Sequence, residues 1–277
     1  MKIIEQQLIG KLSQADCEDG IVATSDFIAV IDGSTSKTPR RINPAMKNGR
    51  YCMMLISDFI KNMRADITLH EFCDGITAHI FKAYELSESP LSRPSTSATQ
   101  IPPHERLCAS AVIYSRARRE IWMIGDCQCI VDKRLYDNPK PYEEQLANRR
   151  ASLFHQCSYD EDNMLDGMSI VHDYARDSIL PELIKAMQNQ NKTYAVIDGF
   201  PIYTEGIKII ATDSLQHEIV LASDGYPFLK PTLAASEEAL REQLANDPFN
   251  IKTYKATKGL MQGNRSFDDR AYIRFAP

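Results

Sequence analysis

Residues 20–33 read Gly-Ile-Val-Ala-Thr-Ser-Asp-Phe-Ile-Ala-Val-Ile-Asp-Gly. Ile21, Val22, Phe27, Ile28, Val30 and Ile31 are β-favouring residues on either side of the polar pair Ser25-Asp26, the pattern of two strands joined by a turn. Such a hairpin delivers Asp32 and Gly33 to a strand end. Moving outward, the arrangement recurs. Residues 107–114 and 120–124 flank a basic turn and end at Gly125-Asp126, residues 218–222 end at Ser223-Asp224-Gly225, and Asp268-Asp269 stand just before a strand over 271–275. Residues 194–197 and 206–212 read as two further β segments.

Helical spacing fills the intervals. Residues 49–63 and 68–86 are expected helices, the second with Leu69, Phe72, Ile76, Ile80, Phe81 and Tyr84 three to five apart. Residues 142–156 and 168–188 follow, with Pro181 kinking or splitting the latter. Residues 236–246 read as a helix capped by Ser236, with Glu237 and Glu238 where the helix dipole favours anions. The stretch 87–103, rich in Ser, Thr and Pro, reads as a surface loop. Strands and helices thus come in blocks rather than in strict alternation. That order predicts an α+β layered sandwich of antiparallel sheets with helices outside, in one domain over residues 1–277.

Composition narrows the function classes. Of 277 residues, 43% are hydrophobic and 25% charged, enough apolar material for a full core. A formal charge of -5 without a Lys/Arg run argues against nucleic acid as a partner. Seven scattered cysteines fit a reducing compartment. Glu5, Gln6 and Gln7 interrupt any signal-like apolar segment, and no stretch is long enough for a membrane span, so a cytoplasmic protein without membrane attachment is expected. Phosphate-cradling Gly-rich loops are missing, and the six histidines make no zinc-binding spacing. His104 is a remote candidate for a proton donor. Cys127 and Cys129 read as buried thiols.

Four acids therefore sit at or near β termini: Asp32, Asp126, Asp224 and Asp268. Taken singly, Asp-Gly marks a turn. Brought together, such carboxylates repel one another unless hard cations neutralise them, and oxygen-only ligation suits Mg²⁺ or Mn²⁺. Asp198-Gly199 repeats the motif and reads as a turn before Pro201.

The ordered set Cys17-Glu-Asp-Gly20, Phe27-Ile-Ala-Val-Ile-Asp-Gly33, Ala109-Ser-Ala-Val-Ile113 with Met123-Ile-Gly-Asp126, Ile219-Val-Leu-Ala-Ser-Asp-Gly-Tyr226 and Ser266-Phe-Asp-Asp-Arg-Ala-Tyr-Ile-Arg-Phe275 resembles the motifs of the type 2C metal-dependent protein phosphatases. The resemblance spans nearly the whole chain. It implies a four-layer α-β-β-α sandwich, two antiparallel sheets flanked by helices. It also implies two Mg²⁺ or Mn²⁺ ions, with a weaker third. Asp32 would bridge the two ions, the Gly33 carbonyl would serve the second, and Asp224 and Asp268 would complete the first. Glu18 and Asp19 would act directly or through water, and Asp126 would hold the third. Asp32, Asp224 and Asp268 are then the catalytic carboxylates, with Asp269 as the substitute if the register slips.

Two departures are visible. Gln14 stands where many members have the arginine that clamps substrate phosphate, and Ser34-Thr35-Ser36-Lys37 follows Asp-Gly where a His or Met is common. Lys37, Arg40 or Arg41 is the candidate replacement clamp, a surface basic cluster being the plainer reading. Residues 258–265 read as a turn that borders the site in the alternative. The expected activity is hydrolysis of a phosphomonoester, on a phosphorylated protein or a small metabolite. The alternative is a non-catalytic module that binds a phosphorylated partner.

Overall fold

The computed structural model describes residues 1–87, 101–156, 164–165, 168–212 and 218–277. Most of the expected loop over 87–103 lies outside these residues, as do Cys157 and His217.

The opening hairpin forms as β2 (Asp19–Ala23) and β3 (Phe27–Gly33). β4 (Ala109–Ser115) and β5 (Glu120–Ile124) extend the sheet by antiparallel pairing, and β10 (Lys208–Ala211) closes its far edge, giving the order β10-β5-β4-β3-β2. The second sheet, β1-β12-β11-β6-β7, is built from β1 (Lys2–Ile9), β6 (Gln128–Val131), β7 (Arg134–Tyr136), β11 (Ile219–Ala222) and β12 (Arg270–Ala276), all antiparallel.

The apolar run of β3 lacks polar alternation because the strand is covered on both faces. Ile28 and Val30 point into the core between the sheets, with Val112, Met123, Leu221 and Ile273. Ala29 and Ile31 point the other way. There they meet α1 (Asn48–Asn62) and α2 (Leu69–Ser87), through Cys52, Ile56, Phe72, Ile76 and Ile80. α2 starts with a reciprocal cap: Glu71 N–H donates to Thr68 Oγ1, and Thr68 N–H donates to Glu71 Oε2. On the outer face of the second sheet, Val220, Ala222 and Tyr272 pack with Leu233 of α5 (Leu233–Asn246). The layers therefore run helix pair, sheet, sheet, helix.

α3 (Glu143–Gln156) and α4 (Tyr174–Met187) pack on each other through Leu146, Ile179 and Leu183. α4 is shorter than the periodicity predicts, since Ser169–Ile170 is a strand (β9) paired with Met164–Leu165 (β8). Pro181 is accommodated inside α4 without splitting it.

Three other expectations are corrected. The α5 cap is Thr232, whose side chain accepts from Ala235 N–H; Ser236 lies one turn inside and bonds back to Lys230. Residues 194–197 form only isolated bridges, to Gln190 and Ala109. β1 and β7 have no counterpart in the sequence reading. β6 and β7 are joined by Asp132 and Lys133, both left-handed at φ 50° and 67°, a two-residue hairpin turn without the glycine that usually signals one.

Candidate metal and phosphate site

The acids converge because both sheets deliver strand ends to one edge of the sandwich. In the first sheet Asp19 pairs with Asp32 across β2 and β3, and Gly33 N–H donates to the Glu18 carbonyl at 3.1 Å. Gly33 is obligatory here, because a Cβ would stand 2.2 Å from the Gly49 carbonyl oxygen at the start of α1. Gly125, at φ +88°, turns the chain after β5 so that Asp126 points inward. From the second sheet come Asp224, just after β11, and Asp268, just before β12. Ser223 locks these two strands: its N–H donates to Ala271 O at 3.0 Å, and its Oγ accepts from Ala271 N–H at 2.9 Å.

Asp32, Gly33, Asp126, Asp224 and Asp268 line a single cavity of about 110 Å³. Glu18 and Asp19 lie behind it, 1% and 2% exposed. Asp269 does not line it. Its Oδ1 accepts from Lys11 N–H at 2.7 Å and its Oδ2 from Glu18 N–H at 3.2 Å, so it ties the turn after β1 to the strand ends. Between Asp268 and Asp269, only Asp268 faces the cavity.

Four cations share this cavity: Lys37, Lys140, Arg176 and Lys258. Lys140 stands 2.5 Å from Asp126 Oδ2, and Ser110 Oγ donates to Asp126 Oδ1 at 2.5 Å. Burial alone would raise the Asp126 carboxyl, but Lys140 and these hydrogen bonds outweigh it and hold it well below its usual value. Asp32 shows the opposite balance. Burial, then the negative charges of Asp224, Asp19 and Asp126, raise it well above the usual carboxylate range. Burial, with Asp269 and Asp224 nearby, likewise pushes Asp19 up to about 7. Lys37 is pushed down to about 7 by burial and by the neighbouring charges of Arg176, Lys258 and Lys140. Its ammonium donates to the Thr35 carbonyl at 2.5 Å and makes no salt bridge among the described residues.

Among the described residues, no three His, Cys, Asp or Glu side chains form a ready-made metal cage. The two carboxylate oxygens of Asp268 are held by Lys11 and Lys258. The donor chemistry nevertheless fits a hard divalent cation. Glu18 Oε1 and Asp19 Oδ2 are buried without any hydrogen-bond partner among the described residues, oxygen atoms that a cation could satisfy.

Other candidates fall elsewhere. Arg40 pairs with Glu105 at 2.9 Å and, with Arg41, lines a separate pocket beside Tyr51 and Leu86, outside the cavity of the acids. Gln14 is exposed. His104 bonds Gln188 at 2.7 Å and lies outside the cavity. Cys127 and Cys129 are buried together in the core between the sheets. Asp198 is more than a turn: fully buried, it accepts from Arg106, Gln190, Asn191 and Phe200 N–H at 2.9–3.0 Å. Lys140 and Arg176 went unsingled in the sequence because neither stands near an Asp-Gly motif.

No family model and no curated protein matches the sequence. Solved structures similar to the chain include the PPM Ser-Thr phosphatase MsPP from Mycobacterium smegmatis in complex with cacodylate, at 12% identity and TM-score 0.45, covering 99% of this chain and 98% of that one. Stp1, a serine/threonine phosphatase from Staphylococcus aureus, matches at 13% identity and TM-score 0.43, covering 100% and 97%. The catalytic domain of the phosphatase PstP in complex with two manganese ions matches at 12% and 0.41, covering 98% and 96%. The architecture and the site stand on the chain's own geometry.

Proposed function

We propose that the chain is a divalent-metal-dependent phosphomonoester hydrolase acting on phosphoserine or phosphothreonine in a protein. The observation that supports this most is the single cavity in which strand-end acids from two sheets face Lys37 and Arg176. The acids suit hard cations, and Lys37 and Arg176 in the same cavity suit an anionic group.

Asp32, the Gly33 carbonyl, Asp224 and Asp268 are the residues that would hold two Mg²⁺ or Mn²⁺ ions, with Glu18 and Asp19 behind them; Asp126 would serve a third only on release from Lys140 and Ser110. When bound, such ions supply Lewis acidity toward water and toward the phosphoryl oxygens. The chain's own part is positional. Lys37, without a carboxylate partner, donates to phosphoryl oxygen in place of the arginine absent at Gln14. Arg176 is anchored through Thr257 and presents its guanidinium to the same space. Tyr142, Tyr194 and Val196 form the apolar part of the wall and limit water there.

The test is turnover of p-nitrophenyl phosphate and of a phosphothreonine peptide with Mn²⁺, with Mg²⁺ and with EDTA, beside Asp224→Asn. Metal-dependent turnover lost in the variant is the expected result. Unchanged turnover in Asp224→Asn removes Asp224 from the site. A second reading, a module that binds a phosphorylated partner without turning it over, is favoured by the lysines held on Asp268. Phosphopeptide binding without phosphate release would select it.

A further inference from the structure

Asp268 is enclosed, its side chain 9% exposed, and each of its oxygens meets an ammonium group. Lys11 stands 3.1 Å from Oδ1 and Lys258 meets Oδ2. The two lysines differ in how they are held. Lys11 is woven into the centre: its backbone N–H donates to Asp269, and its ammonium lies 3.4 Å from Asp269 Oδ2 and 4.0 Å from Glu18 Oε2.

Lys258 arrives from the opposite direction, on the loop between α5 and β12, with its side chain 29% exposed. Its backbone is clamped residue by residue. Ala256 O accepts from Arg150 at 3.1 Å, Thr257 O from Arg176, and Lys258 O from Asn250 Nδ2 at 3.2 Å, while Leu260 N–H donates to Pro248 O at 2.8 Å. Arg150, which supplies the first clamp, is fully buried. A fixed backbone thus presents a flexible four-carbon arm whose charge reaches Asp268 and is attracted also by Asp224 and Asp32.

Six carboxylates crowd this centre, those of Glu18, Asp19, Asp32, Asp224, Asp268 and Asp269, against the two ammonium groups of Lys11 and Lys258. The more accessible of these two ammonium groups, that of Lys258, sits on a proposed metal ligand.

We propose that Lys258 is a tethered internal cation that occupies Asp268 in the metal-free chain and must swing away before a divalent ion can be bound there. The inference rests on the metal-dependent reading above. It makes metal binding conditional: the chain's apparent affinity is its intrinsic affinity reduced by the fraction of molecules in which Lys258 has let go. If Lys258 holds Asp268 in about nine molecules of ten, removing its charge tightens metal binding about tenfold.

The experiment is calorimetric titration of Mn²⁺ into the full chain freed of metal by EDTA and dialysis. Wild type is compared with Lys258→Met, Lys258→Gln and Lys258→Arg, with far-UV circular dichroism to verify folding. Lys258→Met and Lys258→Gln are expected to bind Mn²⁺ about tenfold more tightly, while melting at a lower temperature than wild type in EDTA because Asp268 has lost a partner. Lys258→Arg should bind no more tightly than wild type. Equal Mn²⁺ affinity in wild type and both neutral variants overturns the role of Lys258 and leaves the metal reading standing. Absence of Mn²⁺ binding in every protein overturns both.

Discussion

Asp19 and Asp32 are paired directly across β2 and β3, so two carboxylates share one face of a sheet at its end. Like charges placed opposite one another destabilise a strand pair. The cost is offset only when a cation is present, which is how a site built for function weakens the chain that carries it.

Asp32→Asn keeps the shape and removes one charge. The metal-free variant is expected to be more stable than wild type by about 1–2 kcal/mol, the size of a relieved close repulsion in a partly buried setting. Turnover should be lost. Urea unfolding in EDTA at pH 8, beside a phosphatase assay, checks both. A destabilised variant would mean that Asp32 makes a structural bond its carboxamide cannot replace.

Lys37 gives a pH dependence with a defined sign. Its folded-state pKa is depressed to about 7 from 10.5. The folded chain therefore binds fewer protons than the unfolded one between these values. Its contribution to stability is fully present above about 10.5 and is lost as pH falls through 7. For function the direction reverses, since only the ammonium grips phosphate: KM should rise as pH increases through 7. In Lys37→Met, KM should be roughly tenfold higher, matching a charged hydrogen bond of about 1.5 kcal/mol, and this rise should vanish while kcat changes little. A KM equal to that of wild type would take Lys37 out of the phosphate grip.

Arg150 holds the neighbourhood of the site together from inside. It lies 2.7 Å from Asp173 and donates to the carbonyls of Phe249 and Ala256, joining α3, the cap of α4 and the loop before β12. Arg150→Met is expected to cost about 3–5 kcal/mol, as for removal of one partner of a buried ion pair. The midpoint of urea denaturation reads this directly. A loss below about 1 kcal/mol would show that the three segments are held by their apolar contacts alone.

The hairpin at residues 20–33 was legible because β3 is covered on both faces, and its uninterrupted apolar run followed by Asp-Gly can be little else. The helices α1 and α2 were legible from spacing for the same reason, since one face meets the sheet. β1 escaped because it pairs at a sheet edge and stays largely exposed, so Lys2, Glu5, Gln6 and Gln7 mask its alternation. The acids of the site announce themselves by standing at strand ends. The cations do not: Lys140 lies in a loop before α3, and Arg176 in the first turn of α4, where the sequence suggests only a covering helix. Closeness in sequence does not separate Arg40 from Lys37, but the chain turns between them and Arg40 pairs with Glu105 outside the cavity, in keeping with the plainer reading of a surface cluster.

Gly125 tests whether the placement of Asp126 depends on the turn that carries it. At φ +88° an L-residue is strained, and an added Cβ would stand 2.2 Å from Ser110 Oγ and 2.6 Å from Ser110 Cβ. Ser110 lies on a central strand and cannot retreat cheaply, so Gly125→Ala must shift the turn or push the Ser110 hydroxyl off Asp126. Strain of about 1–2 kcal/mol from the backbone, with a similar steric cost, predicts a loss of about 2–4 kcal/mol in urea unfolding. Ser110→Ala removes the hydroxyl and part of the obstruction. The double variant should therefore recover part of the loss, and two single effects that simply add would show that the strain is confined to the backbone.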